Sequence, residues 1–106
     1  MNEVTITSDS FVPIEIAMIQ LDEEIEKAIY SFDESSYKTD HIHLYMCPLI
    51  VRQFMQITFK HQKYESLDLY RGIRVLPGYE LNTVIIAHKD GALLNIPYYK
   101  IKLITA

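Results

Sequence analysis

A chain of 106 residues has the size of one domain. It is long enough to bury roughly 65% of the surface it exposes when unfolded, and 49% hydrophobic against 23% charged residues excludes whole-chain disorder. The net charge of −4 excludes the basic excess of a general nucleic-acid binder and falls short of the dense acidity of a DNA mimic. Cys47 is the single cysteine, so no disulfide can close within the chain. No apolar run approaches the ~20 residues of a membrane span, and the start, MNEVTITSDS, lacks the basic-then-apolar order of a signal peptide. The expectation is a soluble chain in the cytoplasm, with no membrane and no nucleic-acid partner.

In chain order, Val4 and Ile6 alternate with polar neighbours and predict a short strand within residues 1–9. Ser10 is a candidate N-cap for a helix from about Val12 to Phe32, with Pro13 tolerated in its first turn. Ile14, Met18, Leu21, Ile25, Ala28 and Phe32 recur at three- and four-residue steps, one apolar stripe. Asp22, Glu23, Glu24 and Glu26 read as the solvated face opposite; their spacing fits neither a calcium loop nor a catalytic carboxylate pair. Asp33 to Asp40 is a polar loop. Ile42, Leu44 and Met46 then alternate with His41, His43 and Tyr45 as a half-buried strand. Pro48 opens a second helix from Leu49 to about Lys60, its apolar face carried by Ile50, Val51, Phe54, Met55 and Thr58.

The last third reads as strands: Tyr70 to Leu76, Thr83 to His88, Ala92 to Ile96 and Tyr98 to Ile104. Lys89-Asp90-Gly91 has the chemistry of a hairpin turn between the middle two. Lys100 and Lys102 lie on one face of the last strand, where lysines would protect a sheet edge. The fold expectation is therefore α+β: a single domain over residues 1–106, with two helices packed on a mainly antiparallel sheet of four to five strands.

The order Tyr70-Arg71-Gly72-Ile73-Arg74-Val75, then Pro77-Gly78-Tyr79-Glu80-Leu81-Asn82-Thr83, then a strand ending in the small residue Ala87, resembles the axial region of tailed-bacteriophage major capsid proteins. An alternating strand, here His41 to Met46, running straight into a helix, here Pro48 to Lys60, is similar to the same family. The ordered pattern spans residues 11–96. The family's long spine helix, extended arm and extended loop have no counterpart in it. The resemblance implies a non-enzymatic structural protein, in the virion or the host cytoplasm, that works by self-association or by binding a capsid or host protein. It implies that Gly72 supplies backbone freedom, that Pro77-Gly78 fixes a turn, and that Arg71, Arg74 and Glu80 are rim contacts between subunits.

The residues also carry readings of their own. Tyr99, with Ile101 and Leu103, would give a partner an apolar and aromatic strand face, and Tyr98 beside it is a further interface candidate. His41 and His43, two apart on a strand, could share a metal ion with His88, His61 or Asp40, although nothing in the spacing fixes a third ligand. Cys47, ahead of a helix start, is either a thiol with a lowered pKa or a small buried hydrophobe, and the latter is the commoner role. No nucleotide-binding or catalytic signature stands in the chain, and no cofactor is expected. The rival to the capsid-type reading is a small phage-encoded binding module that inhibits a host defence protein, since such modules are short, cysteine-poor and free of catalytic motifs.

Overall fold

The computed structural model describes residues 2–34, 41–58, 64–66, 69–70 and 72–105. The elements run β1 (Asn2–Ser8), α1 (Ile14–Glu34), β2 (Ile42–Met46), α2 (Pro48–Thr58), β3 (Tyr64–Ser66), β4 (Leu69–Tyr70), β5 (Ile73–Pro77), β6 (Thr83–His88), α3 (Gly91–Leu94) and β7 (Tyr99–Thr105). The class is α+β, as the order of the periodicities predicts. The sheet is larger and more mixed than four or five antiparallel strands. Its seven strands lie in the order β1-β7-β6-β2-β5-β4-β3, and β1 with β7 and β2 with β5 pair in parallel. The other neighbours pair antiparallel. Alternation in a strand states which residues share a face but not which strand lies alongside, so the parallel pairs were not legible in it.

The turn into α1 is built by Asp9 rather than Ser10. The Asp9 carboxylate accepts the amides of Phe11 and Val12 (2.8 and 2.9 Å), and the Ser8 hydroxyl donates to the Val12 carbonyl (3.0 Å). An aspartate reaches amides two and three residues on, which makes a tight turn and leaves Ser10 exposed beside it. The Pro13 carbonyl then accepts from Ile16 and Ala17 (both 3.0 Å) and starts the helical ladder. Proline there sacrifices no intrahelical donor.

The α1 stripe forms as its spacing predicts. Met18, Leu21, Ile25, Ala28 and Phe32 are buried together with Ala17, and Ile14 packs at the margin. Asp22 departs from expectation: it is buried, whereas Glu23 and Glu26 face water. The stripe packs on β1, β6 and β7 and meets α2, so both long helices lie on one side of the sheet. From β2, Ile42, Leu44 and Met46 face them; from β6, Val84 and Ile86; from β7, Ile101 and Leu103. Ile50 buries the start of α2 and Val51 packs beside it; Phe54, Met55 and Thr58, expected on the same face, have side chains outside the described residues.

Three predicted features take another form. Tyr70 to Leu76 is not one strand but a hairpin, β4 to β5, in which Tyr70 pairs with Ile73 around Gly72 at φ +77°. Pro77 ends β5 in register with Met46, and among the described residues β4 pairs on the far side with Ile73 and Arg74, so no ladder partner there needs its missing amide. Ala92 to Ile96 is not a strand. Gly91–Leu94 is the short helix α3, stopped by Asn95 at φ 58°, and the Leu94 amide donates to Asp90 (2.9 Å). Ala-Leu-Leu has no β-branched member, and asparagine tolerates the left-handed stop. Lys89-Asp90-Gly91 thus leads into a helix rather than a hairpin.

The third correction concerns the edge. Lys100 and Lys102 do not guard one, because β7 lies between β1 and β6. β1 is the outer strand on that side. The lysines instead pair with Glu80 (2.7 Å) and Glu3 (3.3 Å).

Candidate functional site: the open face and one end of the sheet

The helices cover one side of the sheet; the other carries no helix from α1 or α2. The strand registers place its side chains in rows. Leu76, Tyr45, Ile85, Lys100 and Glu3 form one row across β5, β2, β6, β7 and β1. Two residues along lie Arg74, His43 and Ala87. The middle of this face is apolar and aromatic, with Tyr45, Leu76, Ile85 and Ala87 half-buried, and Arg74 stands exposed on one flank. The segment after β6 walls one border and leaves a groove of about 660 Å³, lined by Tyr45, Ile85, Ala87, Lys89, Ile96 and Tyr98 among others.

Cations gather at one end of this face. His43 is neighboured by Arg74, Lys89 and His88, and its ring meets that of Tyr45 edge-on at 6.3 Å. Lys100 and Lys102 are neutralised by Glu80 and Glu3, but among the described residues Arg74 and Lys89 face no carboxylate in an ion pair. Burial first, then the charges of Arg74, Lys89 and His88, hold the His43 imidazole below its ordinary value of 6.5. The folded chain therefore takes up a proton at His43 less readily than the unfolded chain. The stability this contributes is complete above about pH 6.5 and is lost as pH falls through the lower folded value. His43→Gln is expected to flatten the fall in melting temperature between about pH 7 and about pH 5. A profile identical to that of the parent chain would show that this ring's charge is not felt in the fold.

A second feature lies where β1, β2, β5 and β7 finish and β6 begins. Phe11, Leu49, Tyr79, Leu81 and Ile104 are all exposed there, with Tyr79 fully in water. Tyr79 and Leu81 stand on the turn between β5 and β6, which Asn82 closes at φ 52° and Thr83 braces by donating its hydroxyl to the Leu81 carbonyl (2.9 Å). Single exposed apolar side chains are ordinary, but five at one end of one sheet are a concentration of the kind that marks interaction surfaces.

The predicted site residues separate into distinct settings. Arg71 lies outside the described residues. Arg74 is exposed on the open face, and Glu80 is held by Lys100 of its own chain. The hydrogen bond from Lys100 is the main cause that keeps the Glu80 carboxyl below the usual range. Tyr98 lines the groove. Tyr99 points the other way: it packs edge-on against Phe32 at 5.3 Å and hydrogen-bonds the Ser31 hydroxyl. Ile101 and Leu103 are buried beneath α1, so the expected docking stripe on β7 is part of the core. In this strand the lysines, not the apolar residues, face outward.

The rings of His41 and His43 pack edge-on against different partners. The His41 ring lies edge-on to His88 at 5.6 Å, while His43 meets Tyr45. Among the described residues no three of His, Cys, Asp and Glu come together as a metal site; Asp40 and His61 lie outside them. Cys47 is buried, the setting of a small hydrophobe. No helix among the described residues is long and apolar enough to cross a membrane. The chain matches no protein-family model, no curated protein and no solved structure.

Proposed function

We propose that this chain is a non-enzymatic structural protein of phage type, built on a capsid-like core and acting by association with further copies of itself in the host cytoplasm or the virion. The observation that carries the reading is the set of large apolar side chains in water at one end of the sheet: Phe11, Leu49, Tyr79, Leu81 and Ile104. Aromatic residues are enriched in interface cores, and exposed apolar side chains gathered in one region mark interaction sites. The capsid-type part of the reading rests on the ordered sequence run from Tyr70 through Ala87.

The test is solution mass by size-exclusion chromatography with light scattering over a wide concentration range. Rings, pentamers, hexamers or larger bodies are the expected result. A mass that stays that of one chain at every concentration would overturn self-association. It would turn the same apolar end toward the rival role, a small module that docks on a host protein, which a pull-down from host extract then examines.

A further inference from the structure

We propose that copies of this chain associate front to back, with the outer face of α1 on one copy seated on the open sheet face of the next. This rests on the self-association reading above and adds a contact separate from the apolar end of the sheet. The outer face of α1 carries a second stripe opposite the core: Ile16, Ile19, Glu23, Glu26 and Tyr30, spaced three, four, three and four residues apart and all exposed. Its two acids lie between apolar ends. The open sheet face offers the complement, apolar at Tyr45, Leu76 and Ile85, and cationic at Arg74 and Lys89. Cations that no carboxylate among the described residues holds in an ion pair would meet acids on an exposed helix face.

The dimensions agree. Ile19 to Glu23 is a rise of about 6 Å along a helix. The step from the Tyr45 row to the His43 row, where Arg74 sits, is two residues along a strand, about 7 Å. With Ile16 and Ile19 over Tyr45 and Ile85, Glu23 and Glu26 arrive at Arg74 and Lys89. A helix face about 30 Å long and 10–12 Å wide covers on the order of 300–400 Å² per copy, well below the ~800 Å² per partner of a standard stable pair. The contact is therefore weak when single, and closure of a ring, which makes the last contact intramolecular, strengthens it. Because its two surfaces differ, it is heterologous, and closes as a ring or runs on as a filament.

Charge reversal separates this arrangement from its alternatives. Two variants, Glu23→Lys with Glu26→Lys, and Arg74→Glu with Lys89→Glu, are purified, checked for parental circular dichroism and melting, and followed by light scattering. Each alone faces like charge at every contact, and the concentration needed for assembly is expected to rise roughly tenfold or more. Mixed in equal amounts, they can alternate so that every contact again joins opposite charges, and assembly is expected to return to near the parental range. Should either double variant unfold, Glu23→Lys and Arg74→Glu as single changes repeat the same comparison.

A parent chain that never assembles overturns this contact together with the self-association reading. A parent that assembles, with variants that assemble equally well or do not rescue each other, overturns the α1-to-sheet contact and leaves self-association standing. If the Arg74→Glu, Lys89→Glu variant binds the parent chain as tightly as it binds the α1 variant, the open faces meet each other, and the front-to-back arrangement is wrong.

Discussion

Leu44→Ala is expected to cost about 2–5 kcal/mol of folding stability. Leu44 is fully buried at the centre of β2, with Ile86 of β6 on one side and Val75 of β5 on the other. Truncation removes apolar contact and leaves a cavity that two flanking strands, each fixed by its own ladder, cannot collapse into. Domains of this size are stable by about 5–15 kcal/mol, so a large fraction of the total would go. In urea unfolding the midpoint should fall with little change in slope. The companion change Leu93→Ala, on the exposed surface of α3, should stay within about 0.5 kcal/mol. Equal, small effects at both positions would place β2 outside the core.

Gly78→Val is the second substitution with a large expected effect. A Cβ on Gly78 would lie 3.1 Å from the backbone nitrogen and carbonyl carbon of Met46 and 3.3 Å from the Cys47 nitrogen. These are main-chain atoms, and the Gly78 amide is tied to the Met46 carbonyl at 2.8 Å. They also lie where β2 passes into α2 at Pro48, so the backbone has little freedom to retreat. Overpacking of this kind costs typically about 1–3 kcal/mol, with Val worse than Ala. Gly72 makes an informative contrast. Nothing lies within 4 Å of its would-be Cβ, but its φ of +77° strains an L residue. Gly72→Ala should therefore cost about 1 kcal/mol, and Gly72→Asn less, because asparagine visits that region more readily. Thermal melts of the three variants check the ranking. If Gly72→Asn proved as damaging as Gly78→Val, the distinction between conformation at Gly72 and crowding at Gly78 would fail.

Much of the helical half was legible because a 3.6-residue period states both the element and its buried side. The α1 stripe and the start of α2 at Pro48 follow directly from spacing and from the chemistry of proline. Strand β6 was equally plain, a β-branched run with a turn before it. Misreadings arose where a local pattern suits two elements. Gly-Ala-Leu-Leu reads as apolar strand or as helix, and the left-handed Asn95 decides for helix. On β7 the period correctly separates lysines from apolar residues. Only the neighbouring strands reveal that the lysine side is the open face and that Ile101 and Leu103 are core. The apolar end of the sheet was invisible for a further reason. Phe11 lies between β1 and α1, Leu49 in the first turn of α2, and Tyr79 and Leu81 between β5 and β6, and no periodicity links residues brought to one end of the sheet only by the strand order.

The pairing of β1 with β7 has a consequence in time as well as in space. Asn2 meets Tyr99 and Ser8 meets Thr105, partners about 97 positions apart along the chain. Contacts that distant form slowly, because most of the chain's freedom is surrendered before they return any stabilisation. Until β6 and β7 arrive, the apolar stripe of α1 has lost its main platform, and Met18, Leu21 and Ile25 stay open to other chains. A ribosome-bound chain halted before Tyr99 would carry a finished helix with an unfinished bed. Productive folding and premature aggregation would then compete over the same few side chains.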